Sequence, residues 1–423
     1  MKRSHLYLWL AGLIPLCIAV IGLLIYLYSQ WQQRDLSSIR VGILHSMTGT
    51  LAISEVPVID ATLLAIEEVN EQGGVLGHLI EPVVVDGKSD PTSFAQQAEY
   101  LITQEKVAVI FGCWTSASRK EVKPIVEKHN ILLFYPVQYE GLEESPNIIY
   151  VGAAPNQQIL PAVEWAFNNI GTRFFLIGSD YVFPRIANEI IKEKIKLLQG
   201  TVVAEEYLPL GSRNVEPVIE KIKTTNPEVI LNTINGDTNI YFFIALKQAG
   251  ITSDKIPVIS FSIAEQELLD LGIDNLVGHY AAWNYFQSLD TPRNAEFVRK
   301  FKRRYGGSRV ISDPMEAAYC AVHMWADAVN EAGSIDTDKV RLKLKDESYQ
   351  APEGKIYIDY DTLHVWRALR IGKIKPDGQF SIEWDSQQPI PPQPYPIYRT
   401  KEEWNNLLQS LYTKWGNKWV RPS

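Results

Sequence analysis

Residues 107–141 read VAVIFGCWTSASRKEVKPIVEKHNILLFYPVQYEG, and this stretch decides the fold class of the chain. The apolar run at 107–111 predicts a buried strand, which Gly112 ends. A small polar turn at 115–118 predicts the start of a helix, and a second apolar run at 131–134 predicts another strand. Each strand therefore ends in a loop that carries aromatic and hydroxyl side chains. Ligands of open α/β sheets bind outside such carboxyl ends, so the stretch predicts a small-molecule site.

The same alternation continues on both sides of this stretch. One series begins with a predicted strand at 39–44 and continues with predicted helices at about 56–72 and at 91–103. A second series begins near residue 156 and includes a predicted strand at 229–233. Such alternation is typical of a doubly wound parallel sheet, so we predict an α/β fold. A helical region follows from residue 291, and then a short meander of strands at 351–384. The tail at 401–420 carries three Trp residues and resembles an amphipathic helix that wraps the surface.

Length and composition limit the class of protein. The chain has 423 residues, of which 46% are hydrophobic, so it can bury a large core and its length favours two or three domains. Its formal net charge of −8 argues against nucleic acid as a partner. Cys113 and Cys320 lie in apolar segments, where we predict buried free thiols, although their spacing neither supports nor excludes a disulfide.

The first 36 residues differ from the rest of the chain. Lys2 and Arg3 precede an uncharged apolar run at 6–28, which is 23 residues long. At about 1.5 Å per residue, a helix of this length spans a bilayer core of ~30 Å. The run is longer than the apolar region of a cleavable signal peptide. We therefore predict an uncleaved anchor in residues 1–36, with a long export signal as the alternative. In both cases the chain after Gln30 lies outside the cytoplasm.

Several side chains at predicted strand ends are candidates for ligand contacts, and each also has an ordinary structural interpretation. Ser116 could donate to a ligand carbonyl beside the free N–H groups of its helix start, or it could be the N-cap of that helix. Tyr181 could close over a ligand or pack between domains. Asp237 could accept from an amide or cap the helix that follows it. Trp114 and Trp283 could wall a flat apolar pocket or belong to the core.

The sequence offers no pattern of catalytic residues. No G-x-S-x-G, H-E-x-x-H, C-x-x-C, P-loop or G-x-G-x-x-G pattern occurs in the chain. The seven His residues are scattered without metal-ligand spacing. An amidase would need an activated nucleophile with a base in reach, and Cys113 is the only candidate thiol near the predicted site. We predict a binding protein that is not an enzyme and has no cofactor or metal.

Ten motifs follow one another through residues 39–390. They are GILHSMTGT (42–50), EEVNEQGGVLG (67–77), FGCWTSASRK (111–120), FYPVQYEG (134–141), SPNIIYVGAAPNQQ (145–158), GSDYVFPR (178–185), NGDTN (235–239), GHYAAWNYFQS (278–288), DPMEAAY (313–319) and APEGK (351–355). In this order they resemble the type I periplasmic solute-binding proteins of ABC transporters. The resemblance is densest to the branch that binds urea and short-chain amides.

The resemblance implies a type I periplasmic binding protein fold. In that fold, two doubly wound parallel-sheet lobes are joined by a three-strand hinge, and the ligand lies in the cleft between them. Here an N-terminal transmembrane or signal helix would precede the lobes. Mapped onto the sequence, the resemblance implies an N-terminal segment at 1–36, lobe 1 at 39–155 plus 284–349, lobe 2 at 156–283 plus 350–390, and a C-terminal tail at 391–423.

The resemblance also implies a set of ligand contacts. In related amide-binding regulators, a GC-aromatic-x-S motif, a YP-x-x-Y loop and a GSDY tyrosine contact the amide. At three of the matching positions the regulators hold other residues, and the W-T-S and P-V-Q forms found here look like the urea-transporter members. The implied ligand is therefore urea rather than an aliphatic amide. The matching residues of this sequence are Trp114, Ser116, Tyr135, Val137, Gln138 and Tyr181.

The chemistry of urea agrees with these residues. Urea is neutral and planar, with one strong acceptor and four N–H donors, so its pocket needs many acceptors, few donors and flat apolar walls. Ser116 and nearby backbone N–H groups could donate, and Trp114 and Tyr135 could form the walls. An α-amino acid would instead need a charged pair for its ammonium and carboxylate groups, which the sequence does not exclude. The candidate acceptors are Gln138, Tyr181, Asn235 and Asp237.

We therefore predict an extracytoplasmic receptor that closes its lobes on urea and delivers it to ABC permease subunits. The alternative ligand is a short-chain aliphatic amide. A periplasmic receptor tethered to the inner membrane through residues 6–28 would hold its ligand at raised effective concentration near the permease. A sensor that reports urea or amides to a membrane partner, and a hydrolase, are the other functional classes that stay open.

Overall fold

The computed structural model describes residues 38–345 and 348–422. The predicted membrane segment at 6–28 lies outside these residues. Over the two described ranges, no helix is both long enough and apolar enough to cross a membrane.

The first sheet has five parallel strands, β1 (Ile39–His45), β2 (Ile80–Asp86), β3 (Val109–Gly112), β4 (Leu132–Tyr135) and β5 (Ile148–Tyr150). Their order is β2-β1-β3-β4-β5, which is a doubly wound order. Strands β3 and β4 are buried along their whole length, which explains why they are continuous apolar runs. The helices of this part are α1 (Ala52–Glu71), α2 (Pro91–Thr103) and α3 (Ser116–His129).

The second sheet begins with five more parallel strands, β6 (Arg173–Ser179), β7 (Thr201–Leu208), β8 (Val229–Thr233), β9 (Val258–Ser260) and β10 (Tyr280–Trp283). Their order, β7-β6-β8-β9-β10, repeats that of the first sheet. The helices of this part are α4 (Ile159–Asn169), α5 (Val182–Leu197), α6 (Glu216–Thr225), α7 (Thr238–Gln248) and α8 (Glu265–Leu271). Short 3₁₀ helices occur at Pro155–Gln157 and Ile273–Asn275.

After β10 the chain returns to the first sheet. Helices α9 (Pro292–Tyr305), α10 (Asp313–Ala332) and α11 (Thr337–Leu344) contribute to the apolar core of that sheet. A small antiparallel sheet follows, with β11 (Ser348–Ala351), β12 (Gly354–Ile358) and β13 (Val365–Trp366), and its apolar side chains join the same core. Strand β14 (Arg370–Ile374) then pairs antiparallel with β10, and β15 (Phe380–Asp385) pairs antiparallel with β14. We therefore propose that the third crossover between the lobes runs through residues 367–369.

Most predicted elements are present, and two differences have clear causes. Helix α1 begins at Ala52, not near residue 56, because Pro57 lies inside the helix and not at its first position. Strand β5 was not predicted, because the apolar run at 148–151 is short and ends at Gly152. The first lobe is hereafter the part built on β1–β5 with α1–α3 and α9–α11, and the second lobe is the part built on β6–β10, β14 and β15 with α4–α8.

One buried arginine joins the three crossovers between the lobes. The Arg367 guanidinium lies 2.8 Å from Glu316, 2.8 Å from Glu353 and 3.0 Å from Asp313. It also donates at 3.4 Å to the carbonyl of Val151 in the first crossover, which is the connection from β5 to α4. Asp313 in turn accepts at 3.1 Å from the backbone N–H of Asn284 in the second crossover, which is the connection from β10 to α9. The three connections are therefore fixed to each other by a single buried charge cluster.

The C-terminal tail forms the predicted amphipathic helix, α12 (Lys401–Lys414), which packs against α5 of the second lobe. Trp404 is fully buried there, and its indole N–H donates to the carbonyl of Pro396 at 2.8 Å. Beyond the helix, the N–H of Val182 donates to the carbonyl of Trp419 at 3.0 Å. The tail is thus part of the second lobe's folded structure.

We expect Trp404→Ala to lower the free energy of unfolding by about 3 kcal/mol, because it leaves a cavity and removes a buried hydrogen bond. Guanidinium chloride unfolding would measure this loss. Asn406→Ala, on the exposed side of α12, is the matched control and should change stability by less than about 0.5 kcal/mol. Equal effects of the two substitutions would show that the tail is not packed as described.

Candidate ligand site between the two lobes

The two parallel sheets have equivalent switch points. In the first sheet the switch lies between β1 and β3, whose carboxyl ends continue into residues 46–51 and 113–116. In the second sheet it lies between β6 and β8, which continue into residues 180–181 and 234–237. Ligands of open α/β sheets bind at such points. The strand order thus selects four loops, two from each lobe.

These loops contact each other across the cleft. The Trp114 indole N–H donates to the Asn235 side-chain oxygen at 3.3 Å, and the Thr50 hydroxyl donates to the carboxylate of Asp237. Asp237 immediately precedes α7, but its side chain accepts no N–H of that helix, so its interpretation as a helix cap is wrong. Direct hydrogen bonds between the lobes mean that the cleft is closed in this structure.

Ser116 lies at the centre of the first-lobe side of the site. The N-cap of α3 is Thr115, whose hydroxyl accepts from the N–H of Ser118 at 3.0 Å, so the interpretation of Ser116 as the cap is wrong. The Ser116 hydroxyl instead donates to Glu140 and accepts from the Arg119 guanidinium at 3.1 Å. The side chain is therefore held by two buried charged groups that the motifs had not indicated.

Four buried charges surround Ser116 and cancel each other. Arg119 lies 2.8 Å from Glu143 and 3.5 Å from Glu140, and Lys120 lies 2.8 Å from Glu143 and 3.7 Å from Glu140. Burial would raise the pKa of Glu143, but the charges of Arg119 and Lys120 outweigh it and hold that pKa well below its usual range. The sequence does contain a signal for this charge cluster. Two cations at 119–120 and two acids at 140 and 143 flank the aromatic loop, but the motifs alone do not show that these charges pair.

Two tyrosines add aromatic surface and one available hydroxyl. The Tyr135 hydroxyl donates to the carbonyl of Trp114 at 2.7 Å, and its ring lies 4.7 Å from the Arg119 guanidinium. Tyr181 reaches this region from the second lobe. Burial, with the nearby Tyr135 and Glu140, raises the pKa of Tyr181 well above its ordinary value, so its hydroxyl stays neutral. It forms no hydrogen bond to another described residue, and it is therefore free to contact a ligand.

Two glutamines and a serine supply further acceptors. The side-chain N–H₂ groups of Gln138 and Gln158 both donate to the carbonyl of Phe261, at 2.7 and 3.4 Å. A carbonyl only accepts, so this contact fixes which end of each amide faces it. The oxygens of both amides, and the hydroxyl of Ser262, are buried and have no partner among the described residues. The loop after β4, the first crossover and the loop after β9 thus each carry a buried oxygen without a partner among the described residues.

Val137 and Trp283, the remaining two predicted site residues, lie in different surroundings from each other. The backbone of Val137 lies against Gly152, where a Cβ atom would come within 2.0 Å of the Val137 carbonyl carbon, so the loop packs tightly on the first crossover. Trp283 is buried in the apolar core of the second lobe, and its indole N–H donates to the carbonyl of Ile263 at 2.7 Å. Val137 thus lies beside Gly152, and Trp283 lies in the core of the second lobe.

The site contains no reactive thiol. Cys113 and Cys320 are both buried and unpaired, which confirms the prediction of free thiols. Burial raises the pKa of Cys113, so the group stays protonated and is a poor nucleophile. Within residues 38–345 and 348–422, no cluster of His, Cys, Asp and Glu is arranged to hold a metal ion.

Comparison with curated proteins gives distant relatives. Leu/Ile/Val-binding protein homolog 6 of Brucella melitensis is 22% identical over 293 residues, which is 68% of this chain and 75% of that protein. Limonene hydroxylase of Geobacillus stearothermophilus is 40% identical over 124 residues, but this chain spans only 23% of that protein's length. The second match is too short to carry an activity to this chain.

Solved structures show the same fold. A solute-binding protein of an ABC transporter from R. palustris, in complex with 4-hydroxybenzoate, is similar with a TM-score of 0.76 and 23% identity, over 84% of this chain and 98% of that one. A leucine-binding protein from Thermotoga maritima is similar with a TM-score of 0.73 and 21% identity, over 82% of this chain and 98% of that one.

A family model described as a periplasmic binding protein domain matches residues 39–401, which is most of the chain. The two lobes, their parallel sheets and the closed cleft agree with that match. The chain therefore belongs to the periplasmic binding protein family, as a non-enzymatic extracytoplasmic solute-binding protein with the type I fold.

Proposed function

We propose that this receptor binds urea in the cleft between its lobes and delivers it to an ABC permease. The observation that carries the proposal is an excess of buried acceptors in a site whose charges cancel. Among the described residues, unpaired acceptor oxygens belong to Gln138, Glu140 and Gln158, and the Ser262 hydroxyl is also unpaired. The unpaired donor in the same charge cluster of described residues is a single nitrogen, Nη2 of Arg119. Urea offers four N–H donors and a single acceptor, so it can satisfy more of these oxygens than acetamide, which offers two N–H donors.

Charge balance argues against ligands that carry a carboxylate. The named neighbours bind leucine and 4-hydroxybenzoate, which are carboxylates at neutral pH. Here the buried cations of the first-lobe site, Arg119 and Lys120, are already paired with Glu140 and Glu143. A buried carboxylate without an unpaired cation would be strongly unfavourable. These contacts therefore support a neutral ligand.

Short-chain aliphatic amides are the second candidate. Trp114 and Tyr135 form buried aromatic surface beside Ser116, and this surface suits a methyl group as well as a flat urea molecule.

We further propose that residues 6–28 tether the receptor to the inner membrane, close to its permease.

Calorimetric titration of the refolded full-length chain in detergent, with urea, acetamide, formamide and leucine, would test the ligand. We expect urea to bind most tightly. Tyr181→Phe should weaken urea binding about tenfold or more, since it removes an unpaired hydroxyl from a buried site. Ser116→Ala should weaken urea binding to a similar extent, since it releases Glu140 and Arg119 from the hydrogen bonds that hold them. Tyr357→Phe, on the small sheet away from the cleft, is the matched control and should bind urea normally.

Two outcomes would contradict the urea assignment. Tighter binding of acetamide than of urea would move the receptor to the amide branch. Absence of binding to urea and to all the amides would show that the ligand belongs to another class.

A further inference from the structure

We infer that Glu140, held in place by Arg119, sets the specificity of this receptor by admitting a neutral N–H ligand and rejecting an isosteric carboxylate. This inference rests on the proposed function, namely a neutral amide-like ligand in the cleft. Glu140 would contact the ligand, whereas Arg119 would be a positioning residue. Neither residue was among the site residues expected from the motifs.

The geometry leaves Glu140 with one committed oxygen and one available oxygen. Its side chain is fully buried. One oxygen, Oε2, accepts from the Ser116 hydroxyl. The other oxygen, Oε1, forms no hydrogen bond to a described residue, and it lies 3.5 Å from the Arg119 guanidinium and 3.7 Å from Lys120. A buried carboxylate oxygen without a hydrogen bond is costly, and a ligand N–H at this position would remove that cost.

Arg119 is fixed too firmly to turn toward a ligand. Its guanidinium lies 4.7 Å from the ring centroid of Tyr135 and 4.5 Å from that of Tyr139. Its Nε donates to Glu143 at 2.8 Å and its Nη1 donates to Ser116 at 3.1 Å. The aromatic rings and these bonds hold the planar group in one orientation. Arg119 therefore presents a constant positive charge that holds the Glu140 side chain in place.

The second lobe closes over the same pair. Tyr181 comes from the loop after β6. Burial raises the pKa of its hydroxyl, and the nearby Tyr135 and Glu140 add to that rise. Glu140 is thus close to a side chain of the opposite lobe and is not confined to the interior of the first lobe. This position at the junction of the lobes is where a ligand would be enclosed.

The charges explain how the pair would select a ligand. Two cations and two carboxylates give the cluster no net charge, so a bound acetate would add one uncompensated buried charge. Acetamide has nearly the same shape as acetate but carries no charge. Substituting Glu140 by Gln keeps the side-chain shape and leaves the cluster with one positive charge. The wild type should therefore prefer acetamide to acetate, and the Glu140→Gln variant should prefer acetate to acetamide.

Titration calorimetry with urea, acetamide and acetate on the full-length chain would test this inference. The wild type should bind urea and reject acetate. Glu140→Gln should weaken urea binding by about 10- to 100-fold, the range for a hydrogen bond to a charged group, and it should gain measurable acetate binding. A residue with only a structural role would not produce that gain.

Two further variants separate charge from fold. Glu140→Gln combined with Lys120→Gln restores a neutral cluster and should lose the acetate binding that the single substitution gains. Glu140→Asp keeps the charge but withdraws the oxygens, so it should weaken urea binding and still reject acetate. If Glu140→Gln proves unfolded by circular dichroism, normal urea affinity of Glu140→Asp would overturn the inference.

The outcomes distinguish the inference from the proposed function. The wild type could bind urea while Glu140→Gln binds urea within threefold of the wild-type affinity and gains no acetate binding. That result would overturn the role of Glu140 and leave the proposed urea receptor intact. Wild-type protein that binds neither urea nor amides would overturn the proposed function itself.

Discussion

Replacement of Arg367 by Met is expected to lower the free energy of unfolding by about 5 kcal/mol at pH 8, the upper end of the range for breaking a buried ion pair. The arginine is fully buried, and its removal leaves the carboxylates of Asp313, Glu316 and Glu353 facing each other without a cation. Burial and the neighbouring acids already raise the pKa of Glu316 to about 8. Because the three crossovers meet at this cluster, the substitution should loosen both lobes together.

The loss should depend on pH. Burial raises the pKa of Asp313 to about 6, so at pH 5 this carboxyl and Glu316 can both take up a proton. Protonated acids repel each other less, and we therefore expect Arg367→Met to cost less stability at pH 5 than at pH 8. Guanidinium chloride unfolding at the two pH values would measure the difference.

Arg304→Met is the matched control for this substitution. Arg304 lies 2.8 Å from Glu67, but both side chains are about half exposed, and surface pairs of this kind contribute little. The control should change stability by less than about 1 kcal/mol at either pH. If Arg367→Met behaved like the control, the cluster at the crossovers would not hold the lobes together.

The second large effect concerns Glu265 at the start of α8. Burial raises the pKa of this carboxyl to about 8, and the charges of Glu267 and Asp313 act in the same direction. One oxygen accepts from the N–H of Gln287 in the second crossover at 2.6 Å, and the other has no partner among the described residues. The folded protein therefore holds a proton on Glu265 at pH values where the unfolded chain has released it.

The sign of the pH effect follows from this difference. A raised folded-state pKa contributes stability below the unfolded value of 4.5, and this contribution is lost as the pH rises through about 8. Between pH 5 and pH 8 the loss from this group amounts to about 4 kcal/mol, at 1.36 kcal/mol for each unit. Glu265→Gln should remove this slope, so the variant should be more stable than wild type at pH 8 relative to pH 5.

Thermal and guanidinium chloride unfolding across pH 5–8 would check the prediction. Glu402→Gln, on the exposed side of α12, controls for removing one negative charge and should retain the wild-type profile. A wild-type stability that does not fall between pH 5 and pH 8, or a fall that Glu265→Gln leaves unchanged, would contradict a protonated Glu265.

The local elements of the fold were largely predictable from the sequence. Helix α2 and strand β8 have the predicted bounds, and the stretch at 107–141 forms the predicted strand, helix and strand. These elements are encoded by short-range patterns of apolar residues, capping groups and Gly or Pro breaks. Where such a pattern was short or misleading, as at Ile148–Tyr150 and at Pro57, the prediction failed.

The sequence by itself determined the strand–helix alternation, the loops at the strand ends and the family resemblance that named Trp114, Ser116 and Tyr135. Only the tertiary structure decided that Ser116 lies between Glu140 and Arg119 and that Trp283 belongs to a core. The physical reason is the separation along the sequence of the residues that interact. Caps and strands depend on neighbours a few residues away, whereas a buried charge pair is stable only when residues some twenty positions apart are enclosed together, which local patterns do not record.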